Sequence, residues 1–147
     1  LLLQVAGLQI ARIQFGLKVA RHASPPKRLQ SRLKRHSSAY ASYAETDRNV
    51  VVGRVLQLAR AVPDLDVFVD VDALRGQPQW ERELKREIDN RDVFYLFWSD
   101  AASKSEEVGR EWRTALQLRG VEYLSPVPLA ANGEAPLPPE LQQDGET

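Results

Sequence analysis

The sequence predicts an α/β fold in which a parallel sheet is covered by helices on both faces. Three observations carry that reading. Between residues 37 and 130, short apolar segments alternate with helical ones in the order β-α-β-α-β-α-β, the pattern of a parallel sheet with right-handed crossovers. The run Val93–Trp98 (Val-Phe-Tyr-Leu-Phe-Trp) is apolar throughout, as in a strand buried on both faces. The composition, 43% hydrophobic and 27% charged over 147 residues, is that of a globular domain rather than a disordered chain.

The elements follow in order. In Leu1–Val19, Ile10, Arg12, Gln14 and Gly16 alternate with Ala11, Ile13, Phe15 and Leu17, a two-residue period that predicts strands. Ala6-Gly7 supplies a turn, so a hairpin is expected. A lone hairpin is marginal in water, and residues 1–21 are therefore read as the remnant of a preceding β-rich domain. Ser24-Pro25-Pro26-Lys27-Arg28 opens a basic, Pro-containing linker over residues 22–36. Ser38–Tyr43 is the first strand of the main domain, residues 37–130. Thr46 or Asp47 can cap a helix through Val50, Val51, Val55, Leu58 and Ala59, which Pro63 stops. Leu65–Val71 is the second strand, Asp72–Gln79 a loop and Trp80–Ile88 a charged helix. Val93–Trp98 is the third strand, Ser105–Leu118 a helix and Tyr123–Leu129 a fourth strand, expected to be interrupted by Pro126 and Pro128. Residues 131–147 form a Pro- and Gln-rich tail in which no regular structure is expected. There is no internal repeat.

Several function classes fall away. No apolar run reaches the ~18–20 residues of a membrane span, because Gln4, Arg12, Gln14 and Lys18 interrupt the N-terminus, so no membrane partner is expected. With Cys 0 and His 2 there is no disulfide framework, thiol nucleophile or Cys/His zinc site, which leaves only carboxylate-bound ions open. With Met 0 the chain lacks an initiator and reads as cropped from a longer protein; the absence of Cys and of apolar spans fits a cytoplasmic one. The net charge of +0 conceals a step, since basic residues from Arg12 to Arg35 accumulate before any acid appears at Glu45. Lys27–Arg35 could touch nucleic-acid phosphates, but it lacks interleaved aromatics and any reading motif, and a solvated linker is the favoured reading.

Ligands of open α/β sheets bind at the carboxyl ends of the strands. Those ends are Ser42-Tyr43, Asp70-Val71-Asp72, Trp98-Ser99-Asp100 and the turn near Pro126. Glu107 and Glu111, four apart, share a helix face. A carboxylate beside a strand-end cleft can stabilise an oxocarbenium-like centre during glycosidic cleavage, although spacing alone favours a solvated face with a Glu106–Arg110 pair. Asp70 has the position of a phosphoacceptor, but the first strand ends in Tyr40-Ala41-Ser42-Tyr43 without the acids that would hold Mg²⁺. There is neither a phosphate-cradling glycine motif nor a Gly-x-Ser-x-Gly elbow. Tyr95, Phe97 and Trp98 are read as core and Trp80 as an anchor for the preceding loop. Tyr43 either stacks on a base or ribose or is partly buried.

Taken together, the segments resemble a TIR (Toll/interleukin-1 receptor) domain of the bacterial kind over roughly residues 37–130. Ala39-Tyr40-Ala41-Ser42-Tyr43-Ala44-Glu45-Thr46-Asp47-Arg48 is similar to the family's first-strand box. Asp66-Val67-Phe68-Val69-Asp70-Val71-Asp72-Ala73-Leu74-Arg75-Gly76 is similar to the second strand and following loop. Trp80-Glu81-Arg82-Glu83-Leu84 resembles the next helix, Phe94-Tyr95-Leu96-Phe97-Trp98-Ser99 the third-strand box, and Ser103–Trp112 the Ser-x-Trp-Val-x-x-Glu-Trp segment.

The resemblance implies a flavodoxin-like doubly wound sheet and one of two activities. The first is cleavage of NAD⁺, as substrate rather than cofactor and with no metal required, at the nicotinamide–ribose bond in antiviral defence signalling. The alternative is a catalytically weak scaffold acting by self-association; a basic-arm nucleic-acid binder is the least favoured reading. In the first case Glu111 is the catalytic carboxylate, Tyr43 and Ser42 line the ribose or nicotinamide pocket, Arg75 contacts phosphates or a neighbouring subunit, and Ser99 and Ser105 rim the cleft. Assembly would order the loop around Arg75.

The sequence also departs from the family pattern. Glu107 replaces an aromatic residue, placing a second carboxylate beside Glu111 that would raise one of the two pKa values. The loop glycine is shifted to Gly76, leaving Gln77 where backbone freedom is expected. The chain's end, Gln142–Thr147, replaces an aromatic-bearing terminal element.

Overall fold

The computed structural model describes residues 2–5, 7–16, 30–69, 71–130 and 135–142. Its elements are β1 (Leu2–Val5), β2 (Leu8–Gly16), β3 (Gln30–Arg35), β4 (Ser38–Ser42), α1 (Arg48–Ala61), β5 (Asp66–Phe68), α2 (Val71–Arg75), α3 (Trp80–Asn90), β6 (Val93–Trp98), α4 (Asp100–Lys104), α5 (Glu106–Arg119) and β7 (Leu124–Pro128), with short 3-10 turns at Glu45–Asp47, Val121–Tyr123 and Pro139–Leu141.

Two sheets result. Strands β5-β4-β6-β7 form a parallel sheet in that order, which is the doubly wound, flavodoxin-like arrangement the sequence predicts. The order reverses between β4 and β6, so their carboxyl ends, Ser42 and Trp98, flank the topological switch point. The register Tyr40↔Phe94 and Ser42↔Leu96 puts these side chains on one face. There Tyr40 stacks on Phe94 at 5.0 Å between ring centres and tilts against Phe68 at 5.5 Å. Helices α3 and α5 cover this face. The Tyr123 hydroxyl donates to the Ile88 carbonyl at 2.8 Å, and Arg119 donates to the carbonyls of Ile88, Asp89 and Arg91 at the end of α3, groups a helix terminus leaves open.

The opposite face meets the N-terminal strands, where the buried Tyr95 hydroxyl donates to the Gln9 carbonyl at 2.6 Å. These strands form a three-stranded antiparallel sheet, β1-β2-β3, turning through Gly7 at φ +78°. Leu8 belongs to the common core, and Arg12 pairs with Glu122 at 2.7 Å. The expected hairpin is thus extended by β3, drawn from residues assigned to the linker. Its Gln-Ser-Arg-Leu-Lys-Arg sequence has no apolar alternation, and β2 supplies the pairing. Lys27 and Arg28 lie outside the described residues, as does Asp70.

Further expectations are corrected. The second strand is shorter than Leu65–Val71, and the loop Asp72–Gln79 begins as helix α2. Gly76 does not take a left-handed backbone, so the loop makes no use of its freedom. The tail packs back on the domain: the Trp98 indole donates to the Ala135 carbonyl at 2.8 Å, and Leu141 is buried. Pro126 and Pro128 do not interrupt β7. Leu129 donates its N–H to the Trp98 carbonyl at 3.0 Å, so alternate residues face β6 and both prolines direct their missing donors outward, as edge-strand prolines do.

Asp92 anchors the start of β4. Its carboxylate accepts from the Ser37 N–H at 2.8 Å, the Ser37 hydroxyl at 2.9 Å and the Ser38 N–H at 3.3 Å. Partial burial opposes ionisation, but these donors, with His36 nearby, hold the carboxyl below its ordinary value. A lowered carboxyl pKa contributes stability that is present at neutral pH and is lost as pH falls below the unfolded value of ~4 and through the folded one. Asp92→Asn should therefore lower stability by about 1–3 kcal/mol at pH 7, with the gap to the parent closing in acid; denaturant titrations at pH 7 and pH 2.5 check this.

Candidate functional site

Helix α5 begins at Ser105, whose hydroxyl accepts from the Val108 N–H at 3.2 Å. Val108, Trp112 and Ala115 form its buried stripe, and Glu111 falls on that stripe. Its side chain is fully buried and is met by groups from two other elements. The Ser42 hydroxyl, at the end of β4, donates to Oε2 at 2.5 Å. Arg75, at the end of α2, donates from Nε to Oε1 at 2.9 Å and from Nη2 to Oε2 at 3.2 Å, a forked ion pair in which the Arg75 side chain is 13% exposed and Glu111 0%. The same Nη2 donates to the Tyr43 carbonyl at 3.0 Å.

The arrangement follows from position. Ser42 faces α5 because it shares Tyr40's face of the sheet, and Arg75 reaches inward because α2 follows β5 directly. A carboxylate without water is costly, and it is compensated here by a forked guanidinium and a hydroxyl. The field of Glu111 is felt by its neighbour: burial first, and then the Glu111 charge, push the Tyr40 hydroxyl far above its ordinary pKa. That hydroxyl is buried without a hydrogen-bond partner.

The structure thus brings together Glu111, Ser42, Arg75 and the backbone of Tyr43. It places the others elsewhere. The Tyr43 ring is buried, its hydroxyl donating to the Val69 carbonyl at 2.5 Å and accepting from Arg48 at 2.8 Å. Ser99 caps α4 by accepting from the Ala102 N–H at 3.0 Å, and donates to Asp47 at 2.5 Å. Asp47, expected to cap α1 through its side chain, is committed to that bond and makes no cap hydrogen bond. Ser105 is the cap of α5 and lies 3.2 Å from the Glu107 carboxylate.

Glu107 itself is exposed. Its own N–H, Ser105, and the charges of Arg75 and Arg110 hold its pKa below the usual value. The like-charge elevation expected for one of the pair does not fall on Glu107, whose own N–H is the largest influence and favours the charged form. Trp80 packs against the core from the start of α3, with Arg110 stacked 5.9 Å over its ring. Sequence reasoning missed Arg75 as the counterion of Glu111. The helical stripe Val108–Trp112–Ala115 signals that Glu111 is buried, but nothing local identifies a partner 36 residues away.

Glu111 lines neither of two grooves formed by the described residues. The larger, of about 430 Å³, runs along the outer edge of β5 between Val55, Leu56, Phe68 and Val69, with Arg48 and Arg91 at its rim. No group of acidic or His side chains able to hold a metal ion occurs among the described residues, and no described helix is long and apolar enough to cross a membrane.

Removing the Ser42 hydroxyl leaves one oxygen of a buried carboxylate short of a donor. Ser42→Ala should cost about 1–3 kcal/mol, and a double-mutant cycle with Glu111→Gln, read by urea denaturation, should show non-additivity of at least about 0.5 kcal/mol.

Comparison with known families agrees with this architecture. No individually curated protein matches the chain. Residues 40–145, however, match the family described as the TIR domain, from the first parallel strand to the tail that packs beneath Trp98. The chain belongs to the TIR-domain family.

Proposed function

We propose that this domain cleaves NAD⁺ at the nicotinamide–ribose bond, with Glu111 as the carboxylate that stabilises the reacting sugar. The observation that carries the reading is a carboxylate held deep at the switch point of an open α/β sheet, on a chain of the TIR family. Water exclusion there strengthens its interaction with a developing positive charge.

The chemistry balances without a cofactor. The bond between ribose C1′ and the pyridinium nitrogen breaks and its electron pair passes to the ring, which leaves as neutral nicotinamide. The sugar becomes oxocarbenium-like, and the Glu111 carboxylate faces that charge. Water adds at C1′ and loses a proton, giving ADP-ribose. In this reading Ser42 aims Glu111 through the 2.5 Å hydrogen bond. Ser99 and Ser105, as caps of α4 and α5, shape the rim from a distance. TIR domains commonly self-associate, and assembly would act by rearranging the segment that carries Arg75. A role in defence signalling is part of the same proposal.

One observation favours a second reading. Glu111 is fully buried in a satisfied ion pair, as a structural residue of a non-catalytic scaffold would be. Nicotinamide release from NAD⁺ at high protein concentration separates the two. On the catalytic reading the parent releases nicotinamide, and Glu111→Gln, which keeps the side chain's shape, lowers the rate at least about 10²-fold. No release by a parent that self-associates supports the scaffold.

A further inference from the structure

The ion pair that neutralises Glu111 has a consequence for catalysis, one that rests on the NAD⁺-cleavage reading. A substrate whose reacting centre is cationic must bring positive charge to the Glu111 carboxylate. In the structure that place is taken by the Arg75 guanidinium, which covers both carboxylate oxygens at 2.9 and 3.2 Å. We infer that Arg75 is a built-in competitive plug: its guanidinium stands where the positive charge of the pyridinium–ribose junction must come, and the site works only after Arg75 withdraws.

Three features support this. Arg75 closes α2, a helix of five residues, and its side chain reaches in from the helix end to Glu111 and the Tyr43 carbonyl. Ser42, by contrast, belongs to a central strand and donates to Glu111 from the opposite element, so the carboxylate keeps its aim when Arg75 leaves. Withdrawal would also not strand the guanidinium. The exposed Glu107, one helical turn before Glu111, already feels the Arg75 charge and offers an alternative partner toward solvent. The carboxylate that replaces the family's aromatic residue is, in this view, the docking point for the open position of Arg75.

The plug and the catalytic reading can fail separately. Arg75→Ala should release nicotinamide faster than the parent, by between about tenfold and a thousandfold, the reciprocal of an open state populated at about 0.1–10%. Guanidinium ion at millimolar concentration, far below the molar range in which it unfolds small domains, should refill the vacated place. It should slow Arg75→Ala and raise its melting temperature, leaving both the parent and Arg75→Ala/Glu111→Gln unmoved. Should Arg75→Ala fail to fold, Arg75→Lys, which keeps the charge but not the fork, should release nicotinamide at a rate above the parent's. Glu107→Gln in the parent background should lower the rate by removing the open-state partner.

A parent that releases nicotinamide in a Glu111-dependent way, with Arg75 variants no faster, overturns the plug and leaves the catalytic reading standing. No release by any variant, even with guanidinium stabilising Arg75→Ala, overturns both.

Discussion

A carboxylate carried into the interior on an apolar helix stripe must be met by donors, and the satisfaction of Glu111 is the constraint around which this domain is arranged. An unpaired buried carboxylate would cost several kcal/mol, comparable to the whole stability of a small domain. Meeting it fixes three elements at once. Strand β4 must end at Ser42 with its hydroxyl toward α5. Helix α2 must finish with Arg75 over the sheet. Helix α5 must turn Glu111 inward rather than Glu107. A buried ion pair is weak evidence for extra stability, since an apolar replacement of the same shape often does as well. Its presence therefore calls for a reason beyond stability, which the proposed NAD⁺ cleavage would supply.

The packing around this pair distributes the work between the two faces of the sheet. The α3/α5 face carries the charges, with aromatic rings of Tyr40, Phe94 and Phe68 beneath them. Arg91 joins α3 to the start of β5 through Glu87 at 3.0 Å and Asp66 at 2.7 Å. The other face is apolar apart from a few directed bonds to the N-terminal sheet, such as Tyr95 to Gln9. The charged network is thereby insulated on its far side by a layer that takes no part in it.

Much of the fold was legible because its signals are local. Val93–Trp98 is apolar through all six positions, and the strand has those bounds. Ser105 before Glu106 and Glu107 announces a helix start, and α5 begins there. What stayed illegible depends on distant partners. β3 has a charged sequence that suits a strand only because β2 lies beside it. α2 has five residues, too few for a helical period to show. At the site, the importance of Glu111, Ser42 and Arg75 came from resemblance, whereas their mutual contact came from topology. The shared carboxylate also explains why Arg75 could not be paired from sequence: charged residues are numerous, and spacing along the chain does not choose among them.

The paired prolines of β7 bear on how copies of the domain can associate. With Pro126 and Pro128 presenting no N–H outward, that margin of the sheet cannot donate to an added strand at those positions. The opposite margin is β5, whose three residues offer only a short ladder beside the groove of Phe68 and Val69. A sheet blunt at one side and brief at the other resists continuous cross-strand growth. Association through this parallel sheet is thus steered toward contacts between side-chain surfaces, which can form and come apart without the near-irreversibility of a fused β-ladder.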